Sequence, residues 1–240
     1  MTYSIIARCP RSGQLGVATA SYSFAIGRYA DGALRANTGV CVTQDVPLPR
    51  NNLLAMSLLA AGRDVRGVLA ELIANDDAHA CRQIALVDRS GAVQVATGVQ
   101  TLPWAGHRIG EACVVFGTQL AGVQVIDAMA AAFEVDPGAD LDARLLGALE
   151  AGRDAGGLKG RTQRLPERSS ALVVFGNHAF NDIDLRVDLN ADPVGELRRI
   201  YDEYKPYGAY YDERAKNPRA AVPQFMFADR LNAARKESRP

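Results

Sequence analysis

The chain has 240 residues, 48% of them hydrophobic, with 27 basic and 27 acidic side chains. That size and apolar content support one large core, burying about 70–75% of the extended chain's surface, and the balanced charge without a long basic run excludes nucleic acid as a partner. No apolar stretch approaches the ~20 residues of a membrane-crossing helix and the start lacks a secretory pattern, so a soluble, cytoplasmic protein with no membrane partner is expected.

In chain order, Thr2 to Arg8 alternates small or polar residues with Tyr3, Ile5 and Ala7. Pro10-Arg11-Ser12-Gly13 supplies turn chemistry, and Gln14 to Ser21 resumes extended structure, which predicts a hairpin. A connection with two glycines leads to the apolar run Gly39 to Gln44, a buried strand ended by Pro47 and Pro49. Two helices follow, about Asn51 to Ala61 and Val65 to Ala74, split by Gly62 and capped by Asp64. Gln83 to Asp88 and Ala92 to Thr97 flank Arg89-Ser90-Gly91 as a second hairpin, and Ala112 to Phe116 adds a strand after the loop TLPWAGHRIG.

Helical periodicity returns over Val123 to Phe133 and Asp140 to Arg153, interrupted by Asp136-Pro137-Gly138. Gly156 to Arg168 reads as a loop, Ser170 to Phe175 and Ile183 to Leu189 as strands, and Asp192-Pro193 starts a helix ending near Tyr204. Residues 1–204 form the expected body. The segment 205–240, rich in tyrosine, proline and charge, reads as an extension docking on the body or on a partner subunit, and homo-oligomerisation is expected. The element order predicts an α+β fold: a four-layer α/β/β/α sandwich of two mainly antiparallel sheets. A single antiparallel sheet covered on one face is the alternative, and it needs less amphipathic helix than the chain carries.

Cys9, Cys41, Cys81 and Cys113 stand far apart, as buried reduced thiols do, and His79, His107 and His178 are equally scattered. Spacing therefore supports neither a metal site nor a disulfide framework, and no cofactor is expected. Only four lysines occur (Lys159, Lys205, Lys216 and Lys236), so a general base near the start of the chain would be an amine, a carboxylate, a histidine or water. Cys41 or Cys9 as nucleophile lacks a neighbouring base.

Thr2 directly follows Met1. If Met1 is removed, Thr2 carries both a nucleophilic hydroxyl and, in its own α-amine with an ordinary pKa of about 7.7–8.0, a base. Threonine is also a strand former, and strand placement alone accounts for it there.

The segments TYSIIARCPRSGQLGVATAS, SFAIG, GVCVTQ, RQIALVDRSG, PWAGHRIGE and DIDLRVDLNADPVGELRRIYDEY resemble the bacterial domain-of-unknown-function family 1028. That family is grouped by fold with the N-terminal nucleophile (Ntn) hydrolases, so the resemblance implies an Ntn-hydrolase-like sandwich more than any one reaction. The chain departs from the family pattern at Tyr22, at Gly117-Thr118 and at Glu167-Arg168-Ser169, where substrate contacts are expected.

On this resemblance Thr2 is the candidate nucleophile, Ser21 a polar group orienting it, and Arg35 a cation near where related folds often carry a lysine. Turn capping explains Ser21 equally, and a solvated loop position explains Arg35. Thr43, Gln44 and Asp45 end a strand where backbone N–H groups can serve an oxyanion. Trp104 and His107 offer a flat apolar wall and a group titrating near neutrality, or a loop covering the core. Gly117 and Thr118 permit close approach of a ligand to backbone, or simply turn the chain. The functional expectation is an amidohydrolase acting on a small-molecule amide. The rival is a catalytically silent protein of the same fold that binds a small metabolite or acts as a scaffold.

Overall fold

The computed structural model describes residues 1–30, 33–176 and 181–237. His178 lies outside them. The strands are β1 (Thr2–Arg8), β2 (Leu15–Ser21), β3 (Leu34–Arg35), β4 (Gly39–Asp45), β5 (Arg82–Asp88), β6 (Val93–Thr97), β7 (Gly106–Gly110), β8 (Cys113–Thr118), β9 (Leu158–Lys159), β10 (Arg164–Leu165), β11 (Ser169–Phe175) and β12 (Asn181–Val187). The helices are α1 (Pro49–Ala60), α2 (Val65–Ala74), α3 (Val123–Glu134), α4 (Leu141–Asp154), α5 (Pro193–Lys216) and α6 (Gln224–Glu237).

The result is a mixed α/β protein in which every strand pairing among the described residues is antiparallel. A six-stranded sheet runs β12-β11-β2-β1-β8-β7, a four-stranded sheet runs β3-β4-β5-β6, and β9 and β10 form a small ribbon. Strand alternation sorts each side chain to one face. Ile6, Val17, Val114 and Phe116 of the larger sheet meet Val40, Val42, Ala85 and Val87 of the smaller one in a shared core. On its other face the smaller sheet buries Cys41, Ile84 and Leu86 against Met56 of α1 and Val68 and Leu72 of α2.

Local chemistry places these helices. Proline begins α1, where its missing N–H costs nothing. Asp64 caps α2 by accepting from Gly67 N at 2.7 Å, and Asp192 caps the start of α5 through Gly195 N at 3.0 Å. Helices α3 and α4 cover the outer face of the larger sheet, α4 over β1, β2 and β11 and α3 over β7 and β8. Gly16 makes this close: a Cβ there would lie 2.5 Å from Leu145 Cδ1 of α4.

The chain divides into two compact units, Met1–Arg199 and Ile200–Pro240. In the second unit Tyr210 stacks on Phe227 at 4.3 Å between ring centroids and donates its hydroxyl to Val222 O at 2.9 Å.

Three local expectations are corrected. The loop expected over Gly156 to Arg168 carries the β9–β10 ribbon, Leu158 pairing with Leu165 and Lys159 with Arg164. The loop expected over residues 101–110 contains β7, because Gly106 to Gly110 pairs with β8 in full register despite its polar sequence. The helix expected to end near Tyr204 continues to Lys216 through Pro206, and α6 follows it. Tertiary contacts of Tyr207 and Tyr210 with Phe227 offset the hydrogen bond that proline removes.

Candidate functional site

Thr2 opens β1, one of the two central strands of the larger sheet, opposite Ser21 on one side and Thr118 on the other. Its side chain faces the smaller sheet and is buried. Thr2 Oγ1 lies 2.9 Å from Ser21 Oγ, which donates to the Met1 carbonyl at 2.9 Å and accepts from Ser23 N at 3.1 Å. A hydroxyl has one proton; Ser21 spends it on Met1 O, so Thr2 donates to Ser21. Tyr22 N–H also donates to Met1 O, at 3.2 Å.

Asp45 gathers the other groups. Its Oδ1 lies 3.5 Å from the Met1 amine and accepts from Thr118 Oγ1 at 3.0 Å, while its Oδ2 accepts from Leu102 N at 3.1 Å. The Met1 amine also approaches Thr118 Oγ1 at 3.4 Å. Burial pushes the pKa of this amine down, and the Asp45 carboxylate opposes that shift. Asp45 adopts φ of 69°, a left-handed conformation uncommon outside glycine, which turns its carboxylate back over the end of β1.

Behind Thr2 a polar ladder crosses between the sheets. Ser4 Oγ lies 2.9 Å from Thr19 Oγ1 and donates to Gln44 Oε1 at 2.7 Å; Gln44 Nε2 donates to Gln83 Oε1 at 2.9 Å. Gln83 Nε2 in turn donates to Thr97 Oγ1 at 2.9 Å and Gly106 O at 3.0 Å. Burial of so many polar groups is tolerated because each is bonded. A cavity of ≈ 130 Å³ opens beside the ladder, bordered by Thr2, Thr19, Tyr29, Val42, Gln44 and Asp45. Asp45 is its one charged side chain among the described residues. Its volume suits a small group.

The structure brings together Thr2, Ser21, Gln44, Asp45 and Thr118. Thr43 borders the cavity, but alternation puts its side chain on the Cys41 face of β4, so it contributes backbone. Burial pushes the Cys41 thiol up to about 12, with a Thr43 hydrogen bond opposing it, which keeps that thiol un-ionised at neutral pH. Gly117 pairs with Tyr3, and a Cβ there would lie 3.0 Å from Thr2 O. Arg35 is exposed and pairs with Gly39, at the far end of β4 from Asp45, roughly 20 Å away by strand rise. His107 sits on β7 with its Nδ1 3.0 Å from Thr97 Oγ1, and burial lowers its pKa. Trp104 lies with Leu102 and Gln119 around a separate cavity on the other side of Asp45 and Thr118.

Sequence reasoning missed Ser4, Thr19 and Gln83. The available signal was parity: Gln44 and Gln83 stand at the core-facing positions of strands whose other inward residues are Val40, Val42, Ala85 and Val87. Tyr22 and Arg168 meet beside Ser21. Arg168 donates its N–H to Ser21 O at 2.7 Å, and its guanidinium lies 3.6 Å from the Phe24 ring centroid and 5.1 Å from that of Tyr22.

The model of a family of unknown function, DUF1028, matches residues 2–197. The chain belongs to this family. Among solved structures, the crystal structure of protein SPO2555 from Silicibacter pomeroyi, described with the same DUF1028 model, is similar at 26% identity and a TM-score of 0.74. The match covers 85% of this DUF1028 chain and 89% of that one. No curated protein matches. Among the described residues no helix is long and apolar enough to cross a membrane, and no group of three or more His, Cys, Asp or Glu side chains has the arrangement of a metal site.

Proposed function

We propose that this DUF1028 protein is an Ntn-type amidohydrolase built on a four-layer α/β/β/α sandwich, with Thr2 as its nucleophile once Met1 has been removed. The reading is carried by one observation: the Thr2 hydroxyl is buried at a cavity mouth, oriented by Ser21, beside an amine site already equipped with Asp45 and Thr118. Hydroxyl and α-amine on one residue need no assembly, which removes much of the entropic cost of bringing base to nucleophile.

In the proposed reaction Thr2 Oγ1 attacks the amide carbonyl carbon and its proton passes to the α-amine. The resulting ammonium protonates the nitrogen as the C–N bond breaks, releasing the amine and leaving an ester on Thr2. Water, deprotonated by the same amine, then hydrolyses the ester. Loss of Met1 frees two donors that now serve its carbonyl, the Tyr22 N–H and the Ser21 hydroxyl. Together they suit the oxyanion of the tetrahedral intermediate.

The test is the intact mass of the protein purified from its own cells, before and after a small electrophilic lactone. A mass lighter by one methionine, followed by a single acyl adduct mapped to Thr2, is expected. Met1 fully retained overturns the reading. Ser21→Ala is expected to lower kcat by about 10²–10³-fold, the loss that follows removal of one oxyanion donor, and steady-state kinetics on a responsive amide check it. Asp45 raises the pKa of the Met1 amine, and on the proposed reading it does the same for the Thr2 amine of the processed chain, so Asp45→Asn moves the limb of kcat/KM that rises with pH to lower pH. An unchanged pH profile excludes Asp45 from that role.

The second reading, a silent metabolite-binding protein, is favoured by the bonded state of the Met1 amine, which Asp45 and Thr118 already satisfy.

A further inference from the structure

The second cavity, across Asp45 and Thr118 from the first, has a volume of ≈ 510 Å³ and is bordered by Leu102, Trp104, Gln119, Lys159 and Arg161 among others. Three features set it apart. First, Lys159 and Arg161 are both exposed, neither has an ionic partner among the described residues, and no carboxylate borders the cavity. Second, Gln119 has a buried Oε1 with no hydrogen-bond partner. A buried acceptor left unpaired costs free energy, and what it lacks is an N–H or O–H donor. Gln119 is held at φ of 53°, so its backbone is strained in the same left-handed sense as that of Asp45.

Third, the cavity has a fixed apolar wall. Gln119 N donates to Leu102 O and Leu120 N to Trp104 O, each at 3.0 Å, while Leu102 N is tied to Asp45. The Trp104 indole lies over Gly106, where a Cβ would come within 2.4 Å of the ring. Gly106 O is itself held by Gln83. The wall is thus preformed, which limits the ordering cost of binding.

We infer that this cavity is a substrate subsite for the amine side of the scissile amide, and that it selects amides whose nitrogen substituent bears a carboxylate and an apolar group, the pattern of an N-acyl amino acid. The carboxylate meets Lys159 and Arg161, the amide N–H meets Gln119 Oε1, and the apolar substituent lies on Trp104. The acyl group enters the smaller cavity, where Asp45 is the one charged side chain among the described residues. This assignment rests on the reading of Thr2 as nucleophile, since it places the scissile bond between the two cavities, but its test does not require turnover.

Trp104 is the chain's single tryptophan, so its fluorescence reports on this cavity alone. The probes are N-acetylphenylalanine and its neutral carboxamide, titrated into a Thr2→Ala protein. Saturable quenching is expected, with the acid binding at least about tenfold more tightly than the carboxamide, the scale of a charge-assisted contact. In Thr2→Ala/Lys159→Ala/Arg161→Ala that preference disappears while circular dichroism and melting temperature remain those of the parent. Equal affinity for acid and carboxamide, a preference that survives loss of both cations, or no saturable change overturns the subsite. Hydrolysis by the wild type without preference for a carboxylate sinks the subsite and leaves Thr2 standing. Carboxylate-selective binding without turnover does the reverse.

Discussion

Replacing Thr2 by alanine is expected to lower amide hydrolysis by at least about 10⁴-fold, because the attacking atom is gone while the amine and the two oxyanion donors remain. The fold survives: the lost Thr2–Ser21 hydrogen bond is worth about 1 kcal/mol, and Ser21 keeps Ser23 N and Met1 O as partners where methionine is retained. Thr2→Ser keeps hydroxyl and amine and retains part of the rate. The measurement is steady-state hydrolysis over a panel of small amides, with the mass of each variant's amino terminus determined in parallel. Equal activity in all three proteins removes Thr2 from the chemistry.

The second large effect concerns stability. Arg82 donates through Nε to Asp76 Oδ2, through Nη2 to Asp76 Oδ1 at 3.2 Å, and through Nη1 to Val46 O at 2.7 Å. The side chains are only 9% and 3% exposed. Arg82→Ala therefore leaves a buried carboxylate without its partner, a change that costs about 3–5 kcal/mol, and it frees the chain just beyond Asp45. Urea unfolding at neutral pH measures it, and a loss below about 1 kcal/mol would mean that the pair is energetically neutral.

The same pair predicts a pH signature. The Arg82 hydrogen bond holds the Asp76 carboxyl below its ordinary pKa, against an opposing effect of burial. A depressed folded-state pKa contributes stability above the unfolded value of about 3.9 and loses it as pH falls through the folded value. In Arg82→Ala burial is opposed only by the Ala78 N–H bond and the Arg50 charge, so the charged form of Asp76 loses most of its advantage over the protonated one. The stability gap between wild type and variant is expected to narrow below about pH 4.

Much of this fold is written in local signals. The β1–β2 hairpin, β4, the β5–β6 hairpin and both helix pairs follow from alternation, turn residues and caps within a dozen positions. Strand β7 does not, because Gly106, His107, Arg108 and Gly110 offer little apolar pattern and the strand forms only through its register on β8. Helix α5 passes through Pro206 for the sake of contacts with Phe227, at a distance in sequence that no local rule spans.

The site divides the same way. Thr2 and Ser21 were legible together because a hairpin register sets its ends opposite each other. Asp45 joining Thr118 and the amino terminus needed the order of strands in the larger sheet and a left-handed residue at the end of β4. Arg35 is close to β4 in sequence but at the wrong end of it.

The polar ladder also reaches an imidazole at the far edge of the sheet. Gly106 O and Thr2 O can only accept, so the amide nitrogens of Gln83 and Gln44, at 3.0 and 3.5 Å, must face them. Thr97 Oγ1 then receives a hydrogen bond from Gln83 and keeps a lone pair and its own proton for His107 Nδ1, so it donates to a ring protonated at Nε2 and accepts from one protonated at Nδ1. An imidazole on the outer strand is thereby tied to the buried glutamines through one hydroxyl, which can only accept from it once acid has charged the ring.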